Sequence, residues 1–158
     1  MTPPFFGQIR NLELSTVFYF EQSFATDWTG INVVKGYPNF TKVSLPVIAI
    51  RLNVVNTNLL EIGSRQTDDV YNLIIDIFAT SDGQKLDLAQ YIKTLILNDW
   101  VYYLWARGSG STMDKTSNGK VVFNSFIQDS PIFHLDDVDV SDRFRYIIST
   151  NVRVAKNA

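Results

Sequence analysis

LPVIAIRLNVVN, residues 45–56, and VYNLIIDIFATS, residues 70–81, decide the fold of this chain. In the first run, Ile48, Ile50, Leu52 and Val54 fall on one face, and Val47, Ala49, Arg51, Asn53 and Val55 on the other. In the second, Tyr71, Leu73, Ile75 and Ile77 alternate with Val70, Asn72, Ile74, Asp76 and Phe78. A run that is apolar on both faces reads as an inner strand covered on both sides. Asp76 breaks that pattern. A buried carboxylate without a partner is very costly, and Arg51 on the preceding strand is its nearest cation in sequence.

DGQKLDLAQYIKTLILND, residues 82–99, follows at once. Ser81 or Asp82 supplies the N-cap that takes up amide groups of the first turn. Leu88, Ala89, Ile92, Leu95 and Ile96 make an apolar stripe, with Lys85, Asp87, Gln90, Lys93 and Thr94 outside it. The unit is therefore strand, strand, covering helix.

Working outward, Ile9, Leu12, Thr16, Phe20 and Phe24, with Val17 beside them, predict a helix from about Gln8 to Ala25. Gly30 and the GYPN run at 36–39 mark turns around a short strand near Ile31 to Val34. WVYYLW, residues 100–105, reads as a strand with aromatics on both faces, which fits burial or an interface. RGSGSTMDKTSNGK, residues 107–120, reads as a long flexible excursion. Strands over 120–128 and 143–154 close the chain. The expected architecture is α+β: a mixed, mostly antiparallel sheet covered by two helices, with a long flexible loop, in one domain spanning 1–158.

Composition narrows the function. The chain has 158 residues, 46% apolar and 19% charged, the latter below the roughly 25% of soluble domains. With 13% aromatics, this predicts surface covered by a partner. An apolar sheet edge is expected to be covered the same way. A net charge of −2 gives no global attraction for nucleic acid. Cysteine is absent, which removes thiolate nucleophiles and zinc–thiolate sites. No secretion signal is visible at MTPPFFGQIR, and no apolar run approaches the ~18 residues of a membrane span.

Chemistry is sparse. His134 is the single histidine and lies between Phe133 and Leu135, with no nucleophile elbow beside it. Asp136, Asp137, Asp139 and Asp142 invite a metal reading, and Asp137-x-Asp139-x-Ser141 imitates the start of a calcium loop, but Asp142 stands where glycine is needed and Ile148 where a bidentate Glu is needed. GSGS at 108–111 has no phosphate-cradle pattern. No catalytic, cofactor or metal residue is expected. Arg143, Arg145 and Arg153 form a basic stripe after an acidic run at 129–142. Opposite patches of that kind suit either intrachain pairing or head-to-tail contact between copies.

The runs PVIAIRL at 46–52, LEIGSR at 60–65, IDIFAT at 75–80 and GQxxDLA at 83–89, with a GYP-F element at 36–40, resemble the tail-terminator and neck (head-to-tail completion) proteins of tailed bacteriophages. The resemblance covers residues 8–105. It implies a virion subunit, assembled in the host cytoplasm, that closes into a ring, commonly a hexamer, at the head–tail neck. Its partners would be identical subunits and other neck, connector or tail-tube proteins, with no membrane and no specific nucleic acid. Loop 107–119 would be a contact arm. Arg107, Ser109, Met113, Lys115, Arg143, Arg145 and Arg153 are the expected interface residues. Asp136, Asp137 and Asp139 would face a DNA channel and let DNA slide. The alternative of another class is a small-ligand or carbohydrate-binding module that stacks sugars on Trp28, Trp100, Tyr102, Tyr103 and Trp105.

Overall fold

The computed structural model describes residues 6–59, 67–108, 113–132 and 144–157. In chain order these form α1 (Gln8–Asp27), β1 (Asn32–Lys35), β2 (Val47–Leu59), β3 (Thr67–Ala79), α2 (Asp82–Leu97), β4 (Trp100–Arg107), β5 (Met113–Ile132) and β6 (Phe144–Lys156). The strands make one sheet in the order β1-β2-β3-β6-β5-β4. Only β1 and β2 are parallel; the other neighbours are antiparallel. The fold is α+β, as the alternation requires.

β3 takes the inner position that its two apolar faces demand. Tyr71, Leu73, Ile75 and Ile77 are buried in the main core with Ile48 and Ile50 of β2 and Ile148 and Val152 of β6. Both helices lie on this face. α2 packs on β3 and β6, while α1 touches β1, β2 and the opposite edge β4, so the sheet curls around it. The helices are tied together by Tyr19, whose hydroxyl donates to Leu95 O at 3.0 Å, and by Tyr91, which donates to Ser23 O and Asp27 Oδ2. Burial, the hydrogen bond to Asp27 and its charge together push the Tyr91 phenol well above its ordinary value.

α2 begins as its sequence asks. Ser81 Oγ accepts from Gln84 N, and Gln84 Oε1 accepts in return from Thr80 N and Oγ1. Two helix positions depart from the periodic reading. Ile9 is exposed, whereas Lys85, expected outside the stripe of α2, is 4% exposed, with Asp82 2.8 Å from its ammonium group. On α1 the buried face includes three polar residues, Asn11, Ser15 and Thr16. Asn11 Oδ1 accepts from Trp105 N, and Ser15 Oγ from Tyr103 N and Trp105 Nε1. Phe6 N donates to Trp105 O. The outward backbone groups of Tyr103 and Trp105 on edge strand β4 are thus met by α1 and by Phe6. The open apolar edge expected from the sequence is closed here, and the aromatics of β4 are buried because α1 lies along an edge strand.

The expected flexible loop at 107–120 is the largest difference from the sequence reading. Residues 109–112 lie outside the described residues, but Met113–Lys120 are strand, paired with β4 from Arg107↔Met113 to Val101↔Lys120. Glycine misled the reading. Gly119 has φ +138°, and a Cβ there would meet Ala155 O at 2.1 Å. It marks a close backbone approach within a strand, at the point where β5 begins to pair with β6.

Candidate functional site

The face of the sheet opposite the helices is built in three zones. At one end Val47, Ala49 and Phe78 form a small core under the 36–45 segment, with Val34, Phe40, Val43 and Leu45 against it. Tyr37 and Phe40 meet Phe78 edge-on, their ring centroids 5.9 and 5.0 Å away. Gly36 allows this cover, since φ +75° at that turn favours a residue without Cβ.

Asp76 occupies the middle zone, 1% exposed. Arg145 Nη2 and Nε reach its Oδ1 at 2.9 and 3.3 Å, and Arg51 Nη2 lies 3.4 Å from Oδ2. The expected Arg51–Asp76 pair is present, and Arg145 is the nearer partner. Register explains both. Asp76 lies opposite Ala49 on β2 and Ile147 on β6, so Arg51 and Arg145 each approach diagonally from a neighbouring strand. Arg145 also stands over the Phe78 ring at 5.1 Å.

The third zone is an open bowl of about 400 Å³ lined by Asn53, Asn56, Asn72, Ile74, Ile127, Gln128, Ile147, Ser149 and Asn151. It crosses four adjacent strands, β2, β3, β6 and β5, or about 14 Å at the usual strand spacing. Its floor is buried, with Asn72, Ile74 and Ser149 each under a tenth exposed, and its rim is formed by exposed Asn53, Asn56, Ile127 and Gln128. Among the described residues, five side-chain carboxamides and no charged group line it. Sequence reading placed Asn53 and Asn72 on strand faces without bringing them together. The signal was there, since polar amides at inward positions of a central strand need a reason.

The residues singled out in the sequence separate. Arg145 is spent on Asp76, so the expected basic stripe is in part an internal ion pair; Arg153 is exposed on the same face of β6. Met113 and Arg107 are exposed and pair across the β4–β5 ribbon. Lys115, also on that ribbon, is held over three rings, 4.1 Å from the Phe18 centroid, 5.5 Å from Tyr103 and 5.7 Å from Trp105. Ser109, Arg143, His134, Asp136, Asp137, Asp139 and Asp142 lie outside the described residues. Asp129, the first residue of the expected acidic run, lies in β5, where its side chain accepts from Lys93 and from the Tyr146 hydroxyl. Burial, the hydrogen bond to Asp129 and its charge push the Tyr146 phenol up to about 12.

The aromatic stacking surface is not available in the form expected. Trp100, Tyr102 and Trp105 are 2%, 1% and 7% exposed, and Trp28 is packed against Phe24 and Tyr91. Trp100, Tyr102 and Trp105 are core residues, whereas Trp28 and Tyr103 are half-buried. No helix among the described residues is long and apolar enough to cross a membrane. No family model matches the chain, and no curated protein matches it either.

Proposed function

We propose that this chain is a non-enzymatic structural subunit of a tailed-bacteriophage virion. It joins copies of itself in a ring, commonly six, at the head–tail neck, where it terminates the tail tube and meets the head connector. The observation that carries this reading is the β4–β5 ribbon. Residues 113–117 pair with β4 alone, because the chain after β6 reaches β5 only from Asn118 onward. The described part of the expected contact arm at 113–117 thus belongs to a two-stranded ribbon, and a ribbon can meet a neighbour with less ordering cost than a flexible loop. Met113 is exposed on it, and Val101, at the other end of the β4–β5 pairing, and Leu97 are exposed as well. Apolar side chains of this kind are what a neighbouring subunit covers.

The runs that carry the resemblance support the same reading by position. IDIFAT, GQxxDLA and most of PVIAIRL fall on β3, α2 and β2, which form the rigid body, and GYP-F forms the cover of its second face. Asp136, Asp137 and Asp139 keep their proposed place toward a DNA channel. Negative-stain images of the purified protein test the reading: rings with a central opening are expected, and a field of single small particles at every concentration would count against it.

A further inference from the structure

The bowl on the outer face has an unfinished floor. Asn72 is 9% exposed and turns its Nδ2 inward, 2.9 Å from Ser149 Oγ, 3.4 Å from Thr150 O and 3.5 Å from Asn151 Oδ1. Those acceptors fix the orientation of its amide, since reversing it would set Oδ1 against two other oxygens. Its Oδ1 then accepts from no group among the described residues. Ser149, 6% exposed, accepts from Asn72 and donates to no described group. One acceptor and one donor therefore sit side by side on the floor of the bowl with no partner for either among the described residues, and Asn72 Oδ1 is not sealed from water. A ligand that displaces that water must replace its hydrogen bonds.

The lining limits what that partner can be. Among the described residues no charged side chain lines the bowl, and the cluster beside it, Arg51, Asp76 and Arg145, is engaged within itself. A charged ligand would lose hydration with no counter-charge in return. A wholly apolar one would seal Asn72 Oδ1 and Ser149 Oγ away from water. A ligand with adjacent N–H and C=O groups satisfies both at once. Ile74, Ile127 and Ile147 are placed to take its alkyl parts, and Asn53, Asn56 and Gln128 on the rim add donors and acceptors around it. The volume suits a single sugar ring or two to three peptide units.

We propose that this bowl is a binding site for an uncharged ligand carrying a secondary amide, held by Asn72 and Ser149. The site belongs to one chain and does not depend on ring formation. Two sources share that chemistry, an N-acetylated sugar and a peptide unit, and one titration separates them. The ¹⁵N-labelled full chain is titrated in parallel with N-acetylglucosamine, N-acetylalanine methylamide, glucose and acetate, following backbone and side-chain amide signals by NMR. At least one of the two amides is expected to shift Asn72, Ile147 and Ser149 while signals on α2 stay in place; the stronger of the two names the source. Glucose and acetate are expected to do so far more weakly. Ser149→Ala is expected to weaken the amide about fivefold, the worth of one neutral hydrogen bond. Gln128→Ala, on the exposed rim and without consequence for the fold, is expected to weaken it about twofold on the same ground. No shift with either amide, equal shifts with glucose or acetate, or unchanged affinity in Gln128→Ala together with a folded Ser149→Ala would overturn the assignment.

Discussion

Along β3, Tyr71, Leu73, Ile75 and Ile77 enter one continuous core under the two helices, while Asn72, Ile74, Asp76 and Phe78 meet three different environments on the other side. The first face is uniform. Most neighbours are apolar, with a few satisfied polar groups such as Thr150 among them, and the apolar area removed from water is worth roughly 25 cal/mol per Å². The second is divided into a small apolar patch, an ion-pair cluster and an amide-lined bowl. Stability is concentrated on the helix side, and the far side is where the chain retains groups that a packed core would not need. That division is what a scaffold with a working face looks like in physical terms.

The division can be broken or sharpened by substitution. Ile75→Ala, on the helix side, is expected to cost about 4 kcal/mol, since the close-packed site relaxes little. Ile147→Ala, partly exposed on the far side, is expected to cost about 1 kcal/mol. Urea unfolding measures both, and equal losses would erase the contrast between the faces.

Asp76→Ala comes next, at about 3 kcal/mol, because it strands the largely buried Arg145. The value sits at the low end for a buried pair because Arg51 is 42% exposed and can turn to water. For the same reason Arg51→Ala is expected to cost less than about 1 kcal/mol. A double-mutant cycle in which Arg51 couples to Asp76 more strongly than Arg145 does would contradict the geometry.

Ser15→Ala is smaller in stability, about 1.5 kcal/mol, as it leaves Tyr103 N and Trp105 Nε1 without their acceptor. Its sharper signature is aggregation on heating, because it reopens the edge of β4. Unchanged light scattering during a thermal ramp would show that the edge is guarded otherwise.

The smallest effect is in the pH profile. Tyr146 is held protonated up to about 12 in the folded chain, above the ordinary phenol value of 10. Between those values the folded state binds more protons than the unfolded one, so this contribution is complete below pH 10 and lost as pH rises through 12. Tyr91, raised in the same direction, adds to the decline. Tyr146→Phe is expected to flatten it, and an identical slope in the variant would remove Tyr146 as a cause.

Much of the helix-side face was legible from alternation alone. Period-two apolarity placed β2 and β3, period-3.6 apolarity with a Ser cap placed α2, and a lone Asp on a buried face announced its Arg partner. What stayed hidden was polar. Asn11 and Ser15 look like ordinary helix surface, and only contact with the backbone of β4 makes them core residues. Lys85 reads as solvent-facing until its ammonium is seen beside Asp82. The MDKTSNGK stretch carries turn residues and little apolar area, so nothing local distinguishes an exposed ribbon from a loop. Gly119 there answers to Ala155, 36 positions further on, which no local pattern encodes. The bowl was illegible for the same reason, since its amides come from four strands and only the register brings them together.

Light scattering of the intact chain across a wide concentration range tests the central claim most directly. The chain mass is 18.0 kDa. A subunit whose exposed ribbon awaits a neighbour is expected to reach one discrete multiple of that mass, commonly six, and to fall back toward the monomer in Met113→Asp. A mass equal to the single chain at every concentration would contradict the account.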